Sequence, residues 1–194
     1  MKIGLIAMSG VRAANPELTA IGLTLPGFME RSQVVASLPS LPLLTLAALI
    51  PPDIEVDYRE IRDLAAEPEL PRDYDLVAIS SYSAQILDAY RVADVYCGRG
   101  VPVVMGGLHV SVLPEEARAH GAVAIVGEGE MTWPLVMEDL RRGKLQSEYR
   151  PRQGQWFDLA DAPMPRFELL DVERYNRLRE RLRTTCSFAA ESQP

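Results

Sequence analysis

Five strand signals are spaced along the first two thirds of the chain: KIGLIAM (2–8), IEVDYREI (54–61), DLVAISS (75–81), VPVVMGG (101–107) and AVAIVGE (122–128). Three of them are continuous apolar runs with no polar alternation. A strand of that kind must be covered on both faces, which is the habit of parallel sheets flanked by helices. The helices are also legible, at 41–50, 84–100, 113–121 and 132–144. In the second of these, Ile86, Leu87, Tyr90, Ala93 and Val95 form a mixed apolar face, and Gly98 or Gly100 supplies a stop. A β-α-β-α series with right-handed crossovers gives a doubly wound α/β sheet. The expected architecture is a Rossmann-like, three-layer α/β/α domain whose five parallel strands take the flavodoxin-like order 2-1-3-4-5.

Charge and cysteine content restrict what such a domain can do. The 194 residues carry a net charge of −7, all of it within 1–145. An acidic surface is a poor match for phosphate backbones, so nucleic acid is not an expected partner. Neither a secretory leader nor a run of about 18 apolar residues is present, so a cytoplasmic protein without membrane contact is expected. Cys97 and Cys186 form no C-x-x-C pair, and His109 and His120 are the only histidines, so no protein-only metal site is expected. From Gln146 onward Pro151, Pro163 and Pro165 interrupt regular structure. The chain therefore divides into a domain body, 1–145, and an extended arm, 146–194.

The unusual residues sit directly after strands. Ser9-Gly10 follows the first, Ser80-Ser81-Tyr82-Ser83 the third, Gly106-Gly107-Leu108-His109 the fourth and Gly127-Glu128-Gly129-Glu130 the fifth. Any one of these is commonly just a tight turn. Four on one sheet edge make a ligand site at the strand carboxyl ends, where glycine admits close approach and serine and glutamate offer hydrogen-bond partners. The thirty-odd residues between the first strand and first helix open onto the same edge. No G-x-G-x-x-G or P-loop follows the first strand, which disfavours a mononucleotide, and Ser80-Ser81 stands where a phospho-receiver needs aspartate. The edge suits a large neutral ligand bearing many amides.

Taken together, LPSLPLLTLAALIPPDIEVDY, ISSYSAQ, GGLHVSVLPEEA, AVAIVGEGEMTWPLVMEDL and APMPRFELLDVERYNRL strongly resemble the amino-terminal cobalamin-binding domain of cobalamin-dependent radical S-adenosylmethionine (SAM) enzymes. The resemblance extends to about Leu178. It implies cobalamin as cofactor, serving as a methyl carrier. It implies that Ser80, Ser81 and Ser83 meet the nucleotide tail, that the tail packs on Gly106 and Gly107, extended by Leu108 and His109, and that Gly127, Glu128 and Gly129 bond corrin amides or the base. It also implies a base-off, His-off cofactor, since Met8-Ser9-Gly10-Val11-Arg12 stands where cobalamin mutases carry D-x-H-x-x-G.

No catalytic residue is assigned on this chain. The arm would lead into, or dock on, a radical SAM domain. The cluster loop of that domain needs three cysteines where TTCSFAAESQP has one, so no iron–sulfur cluster is expected here, and the chain is not expected to be a complete catalyst. Against this stand two alternatives, a degenerate protein-interaction module that has lost the ligand and a flavodoxin-like mononucleotide binder. For His109, a loop histidine satisfied by hydrogen bonds weighs equally with a ligand contact, and His120 suits a helix C-terminus. Trp133 and Pro134 are expected to open and pack the last helix, and the five arginines between Arg174 and Arg183 to form a solvated helix face.

Overall fold

The computed structural model describes residues 1–8, 39–61, 64–67 and 69–171. Ser9, Gly10, most of the long connection, Cys186 and the arginine-rich segment lie outside them. The core is a wholly parallel sheet in the order β2-β1-β3-β4-β5-β6. Its strands are β1 (Lys2–Met8), β2 (Glu55–Ile61), β3 (Leu76–Ser80), β4 (Val103–Gly106), β5 (Val123–Ile125) and β6 (Glu148–Tyr149). The first five take the expected order. The sixth extends the sheet beyond the expected five: Ile125 pairs with Tyr149, which buries its ring in the core. Two residues with one glutamate carry no strand pattern, and it is Tyr149 docking beside β5 that makes them one. The Tyr149 hydroxyl donates to Asp139 at 2.8 Å, and Gln146 reaches the same carboxylate at 3.1 Å.

Helices cover both faces. On one lie α2 (Ile86–Gly98), α3 (Leu108–Val112) and α4 (Pro114–Ala119), and on the other α1 (Leu41–Ala48) and α5 (Gly129–Arg141). The helix expected at 113–121 is thus α4, preceded by the separate short α3, with Pro114 opening α4. The last helix opens at Gly129, three residues before the expected start, and carries Pro134 inside it. The strand pleat decides which core each side chain enters. Ile6, Val77, Ile79, Val103 and Met105 point to the α2 face; Ile3, Leu5, Leu76, Ala78 and Val104 point to the α1/α5 face. Among the described residues no helix is long and apolar enough to cross a membrane.

Candidate functional site

The strands end together at one edge, where Ala7, Ser80 and Gly106 stand side by side in adjacent strands. Below that edge on the α1/α5 face lies a cavity of about 510 Å³. Its floor is the sheet itself at Ala78, Val104 and Ile125; α1 contributes Leu43 and Leu46, and α5 contributes Trp133. Two of the sheet residues that line it, Ala78 and Gly106, are small and leave it room. Gly106 adds no side chain, and Gly129 opens α5 so close to α1 that a Cβ there would sit 3.4 Å from the Leu46 methyls.

The mouth is built from the expected strand-end residues. Ser80, Ser81, Tyr82, Gly106, Gly107, Leu108, Gly127, Glu128 and Gly129 all line it. Gly107 has φ +110°, and a Cβ on it would lie 3.0 Å from the Ser81 carbonyl oxygen, so the β4 turn needs glycine on both counts. Ser111, not anticipated from the sequence, ties two of the loops together: its hydroxyl donates to the Gly107 carbonyl at 3.0 Å and accepts from the Gly127 amide at 2.9 Å. The Glu128 carboxylate accepts from the Phe157 amide at 2.7 Å, fastening the arm to the rim. Beside the mouth Tyr82, Leu108 and Val112 leave 62%, 75% and 76% of their surface exposed.

His109 and Ser83 are brought together, but they do not line the cavity. The His109 Nδ1 lies 3.0 Å from the Ser83 hydroxyl and its Nε2 3.2 Å from Glu116, which also accepts from the Tyr90 hydroxyl at 2.9 Å. Glu116 is held below the ordinary carboxylate range, first by His109 and then by Tyr90. His120 follows the last turn of α4, 2.8 Å from Asp94, and its ring stacks on Tyr90 with centroids 4.3 Å apart. Both imidazoles thus join loops and helices on the α2 side. Among the described residues no three His, Cys, Asp or Glu side chains are grouped to hold a metal ion.

Sequence reasoning passed over the cavity's inner walls. Leu43 and Leu46 read as an ordinary apolar helix, and Trp133 as helix packing. Trp133 is 1% exposed, yet its indole nitrogen is buried without a hydrogen-bond partner. A buried donor without a partner is uncommon, and only the structure displays it.

The comparisons with known proteins agree with this geometry. The B12 binding domain family model matches residues 35–136, which span α1 to most of α5. The chain is 42% identical over 77 residues to bacteriochlorophyllide d C-8(2)-methyltransferase of Chlorobaculum tepidum, covering 40% of this chain and 17% of that protein. It is 34% identical over 108 residues to the C-12(1)-methyltransferase of the same organism, covering 56% and 24%. An uncharacterized methyltransferase of Synechocystis sp. is 31% identical over 158 residues, covering 79% and 28%. Each relative is therefore several times longer than the segment it shares with this chain. No solved structure matches.

Proposed function

Since the chain belongs to the B12 binding domain family, we propose that it holds one cobalamin at the carboxyl edge of its sheet, with the nucleotide tail in the cavity between α1 and α5. The observation that carries this reading is the cavity itself. It is too small for a corrin macrocycle with its amides, is apolar at depth, and opens among glycines and hydroxyls where a sugar and phosphate can approach the backbone. Exposed Tyr82, Leu108 and Val112 beside the mouth offer an apolar surface for the macrocycle. Ser80 and Ser81 are positioned for the tail, and the Gly127–Gly129 loop for peripheral amides.

Cobalamin held in this way supplies a cobalt centre for one-carbon chemistry. The residues of this chain bind and orient it and exclude water from the tail. Neither histidine lines the cavity, which supports a base-off, His-off state. The reaction we infer is methyl transfer carried out with a radical SAM domain, in line with the methyltransferases it resembles, and the arm, fastened to the rim where the Phe157 amide donates to Glu128, is the route to that domain. Exposed Trp156, Leu159 and Met164 on the arm are apolar surface for that partner to cover. Gel filtration after incubation with hydroxocobalamin tests the binding. A stoichiometric corrinoid spectrum in the protein peak is expected, and its absence in a folded protein would refute the reading in favour of an interaction module.

A further inference from the structure

The mouth of the cavity differs from one side to the other. After β3 it presents the uncharged Ser80 and Ser81; two strands across, after β5, it presents Glu128 and Glu130. Among the described residues that line the cavity these two carry charge, and no lysine, arginine or histidine accompanies them. The Glu128 carboxylate commits one oxygen to the Phe157 amide at 2.7 Å. Glu130, in the first turn of α5, is half-buried and meets no hydrogen-bond or ion-pair partner among the described residues. An ionised carboxylate accepts hydrogen bonds and donates none. This side of the mouth therefore calls for ligand N–H or O–H groups and repels a second negative charge.

Resting on the reading of this loop as the place for peripheral amides, we infer that Glu130 makes the domain selective for corrinoids whose side chains are amidated over those that carry free carboxylates. A primary amide turned toward Glu130 donates a charge-assisted hydrogen bond. The corresponding acid, ionised at neutral pH, has no proton to donate and sets one negative charge against another, which Glu128 nearby reinforces. The lost bond and the repulsion together should weaken binding roughly tenfold or more. The charge that cobalamin does carry, on the tail phosphate, is placed beside Ser80 and Ser81. That is two strand spacings away, about 10 Å and so about one Debye length at ordinary ionic strength, where repulsion at an open mouth is largely screened. Glu130 also suits the start of a helix, but that role does not sort acids from amides. Amidation of the corrin periphery must then precede loading of this domain.

The test titrates the full chain at neutral pH with cobalamin and with its b-, d- and e-monocarboxylic acids, in each of which one propionamide of the lower, nucleotide-bearing face is hydrolysed. At least one acid should bind roughly tenfold or more weakly than cobalamin, and the isomer most affected identifies the side chain that meets the loop. Glu130→Gln should bring that ratio toward one by weakening cobalamin and strengthening the acid. Glu130→Lys should reverse it in favour of the acid. If either variant instead shifts all four corrinoids by the same factor, or leaves the ratio where it was, Glu130 is a helix-start residue and the inference fails. Equal binding of all four by the parent overturns the selectivity while leaving cobalamin binding intact. Failure to bind any of them overturns the cobalamin reading and the selectivity with it.

Discussion

The two faces of this sheet are made by the same strands, yet one is filled and the other holds a cavity. On the α2 face the pleat presents Val77, Ile79, Val103 and Met105, and the ring of Tyr74 fills the space left by Gly4, where a Cβ would lie 2.7 Å from that ring. On the α1/α5 face, near the strand ends, the alternate positions are Ala78, Ser80, Val104 and Gly106, and the space above them stays open. Both faces use glycine. Gly4 removes a side chain so that a protein ring can enter, whereas Gly106, whose Cβ would meet the nearest Ile125 atom at an ordinary 3.5 Å, leaves room that no described side chain takes. A sheet can therefore devote one residue parity to stability and the other, only at its carboxyl end, to a ligand.

That contrast is broken most severely at Gly4. Gly4→Val should drive a branched side chain into the Tyr74 ring and destabilise the domain by about 3 kcal/mol or more, read from urea unfolding. The matching insertion on the open face is Ala78→Leu, whose added carbons enter existing space. It should change stability by less than about 1 kcal/mol while abolishing cobalamin retention through gel filtration. If Ala78→Leu unfolds the protein as Gly4→Val does, the faces do not differ as described. Ala78 is a cleaner probe than Gly107, where any side chain also strains the backbone.

The remaining expectations concern polar ties at the margin of each face. Asp139 on α5 is held below the ordinary carboxylate range, chiefly by Gln146 and then by the Tyr149 hydroxyl, so this clamp on β6 belongs to the open face. A carboxyl whose folded pKa is depressed stabilises the fold above its unfolded value, and the gain is lost as pH falls through the depressed folded value. Asp139→Asn should lower the melting temperature at pH 7 and flatten its decline toward acid pH, and an unchanged pH profile would exclude the clamp. The smallest effect is expected at His109, whose contacts lie on the α2 side. His109→Ala should cost about 1 kcal/mol and leave cobalamin affinity nearly unchanged. A large loss of affinity would return His109 to the site.

The sheet order was legible in the sequence because buried parallel strands leave continuous apolar runs, and the mouth because Ser-Ser, Gly-Gly and Gly-Glu-Gly follow those runs directly. What was not legible is direction. GGLHVSV shows glycines at a turn, but that His109 leaves the cavity for Ser83 and Glu116, while Ser111 bridges Gly107 and Gly127, depends on how α3 sits on the sheet. The same holds for Trp133: a buried tryptophan near a helix start is ordinary, and only the structure shows that it lines the cavity. The sixth strand was hidden because two residues carry no periodicity, and pairing with β5 is what defines it.

The central claim, that the tail occupies the open face and so leaves cobalt, is tested most directly by electron paramagnetic resonance of the stoichiometric cobalt(II) complex. Free cobalamin with its own base attached shows nitrogen superhyperfine splitting on the cobalt lines. The account predicts that this splitting disappears on binding, with neither the benzimidazole nor a histidine on the lower face. A retained nitrogen triplet would contradict it, because the base would still be on cobalt, or a side chain in its place, and the cavity between α1 and α5 would have lost its proposed occupant or the lower face its proposed vacancy.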